Sequence, residues 1–276
     1  MTSDGMLQLH RVRKGAPGAP PIVLLHGFPL DHRMWLDVTD LLRGDPTVLA
    51  PDLPGFGTSP TGQDVAATVG GDLPSVDVMA DGVAATLRAA GVERAVVVGM
   101  SMGGYVAMSL VERHPALVAG LGLVDTKSTA DGDEARERRL LVARTVEAEQ
   151  TVEAVLGMRT ALLGATSRAG RPDLVERLET WIRDQGPDAV AWAQRAMAAR
   201  HDRTGVLVRF GGPAVVVVGE EDDIAPVAEA RHMVDALPAG TLVVVPGAGH
   251  MTTVENPEPV AAALTELAAM VGSAGA

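Results

Sequence analysis

The sequence predicts an α/β domain with a mostly parallel central sheet and helices on both of its faces. Short apolar runs rich in β-branched residues alternate with segments of helical periodicity, both before residue 128 and after residue 211. These runs are uniformly apolar, which is typical of parallel strands that are buried on both faces. Between residues 129 and 210 the alternation stops and only helical patterns remain, which indicates an inserted helical element.

The strands and helices follow in a regular order. The predicted strands of the first half cover residues 6–12, 22–25, 47–50, 96–99 and 118–124, and a Gly/Pro-rich turn covers 15–21. A short helix is predicted from Arg33 to Leu42, a longer one over 76–90, and one directly after the fourth strand. Strands over 214–218 and 241–245, with helices over 228–237 and from Pro257, complete the pattern.

The charge distribution separates the inserted element from the rest of the chain. Residues 129–210 hold 13 acidic and 13 basic residues, whereas the net charge of the whole chain is −12. All of the excess negative charge therefore lies outside the insertion. We predict a core domain formed by 1–128 and 211–276, and a helical cap formed by 129–210. Asp131 and Glu134 have capping-box spacing and predict a helix start there.

Composition excludes several classes of function. The chain has no cysteine, which excludes disulfides, thiolate nucleophiles and cysteine-ligated metals. A net charge of −12 argues against nucleic acid or an anionic membrane as a partner. Residues 1–15 have no apolar secretory signal, and no apolar run is long enough to span a bilayer. We therefore expect a cytoplasmic protein, and we predict no metal site.

The segment Gly99-Met100-Ser101-Met102-Gly103 carries the strongest chemical signal. An apolar strand precedes it and an Ala-rich helical stretch follows, so Ser101 lies at the apex of a strand–turn–helix. Gly-x-Ser-x-Gly in this context is the spacing of a nucleophile elbow. The turn crowds the residues two before and two after the serine, and glycine is the residue that fits there.

A nucleophilic serine needs a base and an acid that orients the base. His250 follows the last strand through a Gly-rich loop, at the sheet edge that also carries Ser101, and is the predicted base. Asp222 follows the preceding strand and is the favoured acid, with Asp125 as its main rival and Asp223 as another. We interpret Glu220, Glu221 and Asp223 as a solvated acidic loop. Five histidines lie outside such turns and are predicted to be structural or solvated: His10, His32, His114, His201 and His232.

Acyl transfer also needs hydrogen-bond donors for the oxyanion. The N–H of Met102, directly after the nucleophile, is one candidate. The loop after the 22–25 strand, which begins with His26-Gly27, supplies the other from Phe28. Pro29 has no N–H and a fixed φ, so it stiffens this loop.

These residues together resemble the α/β-hydrolase superfamily, and the resemblance covers nearly the whole chain. The motifs that carry it are His26-Gly27-Phe28-Pro29, Asp52-Leu53-Pro54-Gly55-Phe56-Gly57-Thr58-Ser59, Gly99-Met100-Ser101-Met102-Gly103-Gly104, Gly219-Glu220-Glu221-Asp222 and Gly249-His250. The chain looks most like small capped carboxylesterases, 3-oxoadipate enol-lactonases and cofactor-free haloperoxidases (perhydrolases). The resemblance implies a Ser–His–Asp triad, no cofactor, and a helical cap over the site. Related enzymes with an aspartate nucleophile are excluded because the elbow carries Ser101.

The function predicted from these observations is hydrolysis of a small ester or lactone through an acyl-enzyme. Three alternatives stay open: a ligand-binding or signalling protein on the same scaffold, an enol-lactonase, and a perhydrolase. The proline at position 29 resembles the one found in perhydrolases. An enol-lactonase acting on a dicarboxylate needs cations in its pocket. The candidates are in the cap: Arg136, Arg139, Arg144 and Arg159. Solvated faces paired with glutamate explain these arginines better, which favours a neutral ester or lactone bound by cap residues that the sequence does not identify.

Overall fold

The computed structural model describes residues 5–16 and 18–274, and within them seven strands form one sheet in the order β1-β3-β2-β4-β5-β6-β7. The strands are β1 (Leu9–Arg13), β2 (Ile22–Leu25), β3 (Val48–Pro51), β4 (Ala95–Met100), β5 (Val118–Val124), β6 (Ala214–Gly219) and β7 (Gly240–Val245). Only β1 runs antiparallel to its neighbour, and the other pairs are parallel.

Helices cover both faces of the sheet and fill the segment between β5 and β6. In chain order they are α1 (Leu36–Leu41), α2 (Gly62–Val69), α3 (Val76–Ala89), α4 (Met102–Arg113), α5 (Asp133–Glu149), α6 (Glu153–Leu156), α7 (Met158–Ala161), α8 (Ala165–Gly170), α9 (Pro172–Arg183), α10 (Pro187–Ala198), α11 (Thr204–Arg209), α12 (Val227–Ala236), α13 (Thr252–Glu255) and α14 (Pro257–Ala274). Two 3₁₀ turns cover His32–Trp35 and Pro115–Leu117. The predicted fold class is confirmed.

The central strands are buried along their whole length, as the uniform apolar pattern predicts. Every residue of β2, β4, β5 and β6 is buried. The strand β1 is only half buried because it pairs with β3 alone, at the edge of the sheet. The strands β2, β4, β6 and β7 run parallel to one another. Their carboxyl ends therefore meet at one edge of the sheet, and the loops that follow them are neighbours.

Between β5 and β6 the described chain forms helices joined by loops and no strand, from α5 to α11. This helical segment (129–210) packs over the loops that leave the sheet. A Cβ on Gly62 would lie 2.3 Å from the ring of Trp192, and Arg177 binds Asp37 at 2.9 Å. The division into a core (1–128 and 211–276) and a cap stays a prediction. Residues 1–4 and 275–276 of that core, and Pro17 of the predicted turn, lie outside the described residues.

One local prediction is wrong, and one helix was missed. Asp131 does not cap α5, because Gly132 is the residue that precedes the helix, and the Asp131 carboxylate binds basic side chains instead. The helix α2 was not predicted from the sequence at all. It begins after Thr61, whose hydroxyl accepts a hydrogen bond from the N–H of Asp64 at 3.2 Å.

In the described part of the chain, no helix combines the length and the hydrophobicity that crossing a membrane requires.

Candidate active site

Ser101 lies between the end of β4 and the start of α4, in a strained backbone conformation. Its φ is +51° and its ψ is −113°, a region that residues with a Cβ rarely adopt. Backbone contacts on both sides hold it there. The Ser101 N–H donates to the carbonyl of Val124 at 2.9 Å, and its own carbonyl accepts from the Thr126 hydroxyl at 2.8 Å. The turn is thus fixed by the neighbouring strand β5.

The flanking glycines leave no space for a side chain. A Cβ on Gly99 would lie 2.0 Å from the carbonyl oxygen of Gly103, and a Cβ on Gly103 would lie 2.2 Å from the carbonyl oxygen of Leu25. Both clashes are with backbone, which cannot rotate away. The Gly-x-Ser-x-Gly spacing is therefore a steric requirement of this turn.

The structure brings Ser101, His250 and Asp222 into one hydrogen-bonded chain. The distance from His250 Nε2 to Ser101 Oγ is 2.9 Å, and from His250 Nδ1 to Asp222 Oδ2 it is 2.8 Å. Both His250 and Asp222 are buried, whereas Ser101 is partly exposed. An imidazole held between a hydroxyl and a carboxylate in this way can take a proton from the hydroxyl.

The other oxygen of Asp222 is fixed by the loop that follows it. Its Oδ1 accepts the N–H groups of Ile224 at 2.8 Å and Ala225 at 2.9 Å. Burial opposes ionisation of this carboxyl, but the charge of His250 and the hydrogen bonds outweigh it and lower the pKa of Asp222 below its usual range. The carboxylate is therefore both charged and fixed in orientation.

Asp125, the main alternative for the acid, forms its hydrogen bonds with residues other than His250. Its carboxyl is fully buried, accepts the Gly219 N–H at 3.0 Å and contacts both the N–H and the hydroxyl of Thr252. Burial and the negative charge of Asp222 raise its pKa well above the usual value. Asp223 is exposed. Of the three aspartates, Asp222 is the one hydrogen-bonded to His250.

The loop after β2 approaches Ser101 closely. A Cβ on Gly27 would lie 3.4 Å from the Cβ of Ser101, which is ordinary van der Waals distance, so this loop lies directly against the turn. Phe28 follows, and its peptide bond to Pro29 is cis. Within residues 5–16 and 18–274, the N–H groups of Phe28 and Met102 donate to no backbone carbonyl. Their role as donors to the oxyanion stays a prediction.

Comparison with known proteins places the chain in a family. The family model for the alpha/beta hydrolase family matches residues 22–263. The chain belongs to the alpha/beta hydrolase family. This confirms the resemblance seen in the motifs and supports hydrolysis of a small molecule as the general activity.

Individual relatives of this hydrolase agree with the family. The pimeloyl-[acyl-carrier protein] methyl ester esterase of Chromobacterium violaceum is 30% identical over 255 residues, which are 90% of this chain and 93% of that protein. A thermophilic esterase from Thermogutta terrifontis, solved with malate bound, is 33% identical with a TM-score of 0.86, over 96% of this chain and 93% of that one. A third relative is the dihydrolipoyllysine-residue acetyltransferase component of the acetoin cleaving system of Pseudomonas putida, which is 32% identical over 252 residues. The match covers 89% of this chain but only 62% of the length of that protein.

Three other histidines of this hydrolase have structural contacts. His26 is fully buried, accepts the Leu53 N–H on Nε2 at 2.8 Å and has Nδ1 3.1 Å from the Gly27 carbonyl oxygen. Burial lowers the pKa of its imidazole. His10 and His32 each bind one oxygen of Asp52, at 2.8 and 2.9 Å.

The side chains of His10, His32 and Asp52 lie close together and are of the types that bind metal ions. However, the two imidazole rings are stacked 3.5 Å apart and 15° from parallel. Their nitrogen lone pairs lie in the ring planes and therefore do not converge on one ion in this arrangement. The group is better explained as a hydrogen-bonded link between β1, the loop after β2 and the end of β3.

The arginines considered for a cationic pocket are engaged within the helical segment or lie on its surface. Arg136 donates to the Ala198 carbonyl at 3.1 Å, Arg139 binds Asp131 at 2.7 Å, and Arg159 binds Glu179 at 3.3 Å. Arg144 is exposed.

Sequence reasoning missed contacts of a basic and an acidic residue, Arg200 and Glu221. The buried guanidinium of Arg200 stacks 4.1 Å from the ring centre of Tyr105, one turn after Ser101, and binds Asp131 together with Lys127 and Arg139. Glu221 is not merely solvated, because its carboxylate accepts the N–H of Thr166 at 2.8 Å. Only the apolar surroundings of Arg200 in the sequence, Met197-Ala198-Ala199, could have suggested its burial.

Proposed function

We propose that this hydrolase cleaves a small carboxylic ester or lactone by a serine mechanism with a covalent acyl-enzyme. The observation that carries the proposal is the hydrogen-bonded chain from Ser101 Oγ through His250 to Asp222, with both distances below 3 Å. The chain begins at the strained apex of the turn and ends at a buried carboxylate. The esterase activity of two relatives supports the same reaction class.

In the first step, Ser101 Oγ attacks the carbonyl carbon of the substrate while His250 Nε2 accepts its proton. Asp222 holds the proton of His250 on Nδ1 and stabilises the imidazolium that forms. The carbonyl oxygen gains negative charge and accepts the N–H groups of Phe28 and Met102. Collapse of the intermediate breaks the bond to the alkoxy oxygen, which leaves with the proton from His250 Nε2.

The second step returns the enzyme to its starting state. Water gives a proton to His250 Nε2 and attacks the acyl carbon, and the same two N–H groups stabilise the oxyanion. The ester bond to Ser101 then breaks, and Oγ recovers the proton from His250. A lactone follows the same course, except that its alkoxy group stays attached to the acyl part and leaves with it.

The helical segment (129–210) acts as the cap that encloses the substrate. Its arginines Arg139 and Arg159 bind carboxylates, so their charges are already compensated, and Arg136 donates to a backbone carbonyl. Apolar side chains of the segment that reach the loops of the sheet edge, such as Leu162 and Leu163, are buried. These contacts favour a neutral, moderately apolar acyl group.

The test is hydrolysis of a panel of short chromogenic esters and lactones by the wild type, Ser101→Ala and Ser273→Ala. Ser273 is an exposed serine near the end of α14 and serves as the matched control. We expect kcat to fall by more than about 10⁴-fold in Ser101→Ala only. Turnover that survives in Ser101→Ala contradicts the mechanism. A folded wild type that binds these compounds without turnover favours a ligand-binding protein instead.

A further inference from the structure

Three consecutive backbone N–H groups around His250 have unusual partners. The Gly249 and Met251 N–H groups both donate to Oε1 of Glu255, at 2.9 and 3.0 Å. The His250 N–H donates to the carbonyl of Leu162 in the helical segment, at 3.0 Å. The backbone that carries the imidazole is thus held by one side chain and by one carbonyl of the helical segment.

The same carboxylate also binds the helical segment. Oε2 of Glu255 accepts the N–H of Gly164 at 2.8 Å. Glu255 lies 91 residues after Gly164 and joins two segments that are distant in the chain: the loop that carries His250 and the turn between α7 and α8. Hydrogen bonds to an ionised carboxylate are roughly twice as strong as those between neutral groups.

The backbones of Gly249 and Gly164 pack so closely that no other group can replace Glu255 between them. A Cβ on Gly249 would lie 2.2 Å from the backbone nitrogen of Gly164, and a Cβ on Gly164 would lie 2.7 Å from the backbone nitrogen of Gly249. The two glycines bring the N–H groups close enough for a single carboxylate to reach both. Without Glu255, the N–H groups of Gly164, Gly249 and Met251 lose the acceptor that they share.

We propose that Glu255 is a positioning residue for His250, and that it makes the position of the imidazole depend on the helical segment. This rests on the proposed function, in which His250 moves protons. Glu255 contacts neither the substrate nor the reacting atoms. It acts because a shift of the 249–251 backbone moves the imidazole away from Ser101 Oγ, and proton transfer requires a separation of hydrogen-bond length.

The experiment compares Glu255→Ala and Glu255→Gln with a matched control, Glu221→Ala. Glu221 also links its loop to the helical segment, through the Thr166 N–H at 2.8 Å, but its side chain contacts none of the N–H groups from 249 to 251. Glu255→Ala loses three hydrogen bonds, two of them to the loop that carries His250, whereas Glu221→Ala loses two, both to Thr166. A larger effect of Glu255→Ala therefore reports on His250. Circular dichroism and thermal unfolding establish the folded fraction of each variant.

We expect Glu255→Ala to lower kcat per folded molecule by about 10- to 100-fold with little change in KM, since misplacement of a catalytic group by about 1 Å has an effect of that size. Glu255→Gln retains a carbonyl oxygen for Gly249 and Met251 but turns an NH₂ toward Gly164. Its kcat should therefore lie between those of the alanine variant and the wild type. Glu221→Ala should stay within about two-fold of the wild type.

A second measurement does not depend on turnover. The Nδ1–H proton of a histidine bonded to a carboxylate gives a separate low-field resonance in the proton spectrum, here from the His250–Asp222 bond. We expect it to broaden or vanish in folded Glu255→Ala and to persist in Glu221→Ala. An unchanged resonance in folded Glu255→Ala overturns the proposal even if no ester is hydrolysed. Equal kcat losses in Glu255→Ala and Glu221→Ala overturn it as well.

Discussion

The replacement Asp222→Asn tests the proposed acid with the shape of the protein almost unchanged. Two backbone N–H groups, of Ile224 and Ala225, point at Oδ1 of Asp222. They require an acceptor, so the carbonyl oxygen of an introduced asparagine must take that position. Its NH₂ group then faces Nδ1 of His250, 2.8 Å away in the wild type. The orientation of the amide is decided by the loop and not by the histidine.

An NH₂ group at that position reverses the hydrogen bond to the imidazole. His250 must then accept on Nδ1, which puts its only ring proton on Nε2, the nitrogen that faces Ser101 Oγ. The imidazole no longer has a lone pair for the serine proton. In a serine protease the same change lowers kcat by about 10⁴-fold. We expect a loss of this size here, which corresponds to about 5 kcal/mol of transition-state stabilisation.

The matched variant is Asp125→Asn. The pKa of Asp125 is raised by burial, so an amide resembles the protonated acid. Its carbonyl oxygen can keep the Gly219 N–H, and its NH₂ can donate to the Thr252 hydroxyl. Only the Thr252 N–H loses its acceptor, at a cost of about 1–3 kcal/mol in the free energy of unfolding.

The assay is kcat for an ester accepted by the wild type, corrected for the folded fraction of each variant. We expect the large loss in Asp222→Asn and a change within a few-fold in Asp125→Asn. A greater loss in Asp125→Asn would assign the acid to Asp125 and refute the reasoning. Equal small losses would show that the orientation of His250 does not depend on either aspartate.

Two further predictions concern stability. Burial opposes ionisation of Asp52, but hydrogen bonds from His32 and the charge of His26 lower its pKa from 3.8 to about 2. Because the folded pKa lies below the unfolded one, Asp52 contributes about 2 kcal/mol that is present above about pH 4 and is lost as the pH falls toward 2. Urea unfolding at about pH 6 and about pH 3 should show a smaller difference in Asp52→Asn than in the wild type, and an equal difference would contradict this. Gly103→Ala should yield no stably folded protein, because the added Cβ would lie 2.2 Å from the Leu25 carbonyl oxygen. The control is Gly132→Ala, where an added Cβ meets no atom within 4 Å, and this variant should keep the wild-type Tm.

The uniformly apolar strands were predictable from the sequence because a strand that is buried on both faces needs an apolar residue at every position. The predicted strand over 118–124 coincides with β5, and those over 22–25 and 47–50 agree with β2 and β3 within one residue at each end. The opening strand was predicted over 6–12 but runs from Leu9 to Arg13. An edge strand is half exposed, so its ends are decided by pairing, and here a register shift between Arg11 and Arg13 displaces them.

The candidate site was predictable where its residues follow strands. Ser101 and Asp222 follow the buried strands β4 and β6, and His250 follows the edge strand β7 through a Gly-rich loop. Parallel strands bring these ends to one edge. Glu255 and Arg200 were not predictable, because their partners are loop amides and side chains far away in the chain. No local pattern encodes a contact between residues 91 positions apart. The catalytic roles of all these residues stay predictions.

Four carboxyl groups surround His250 at different depths, and their donors decide what each can do. Asp222 is charged and faces the imidazole, and Asp125 is buried beneath it with a raised pKa. Glu255 and Glu221 instead bind N–H groups of the helical segment. Of these two glutamates, Glu255 also binds the loop that carries His250, and it thus connects that loop to the segment that we propose as the cap. An exchange of 129–210 for the segment of a relative should therefore change kcat as well as substrate preference, unless the residue at position 164 keeps its N–H in reach of Glu255.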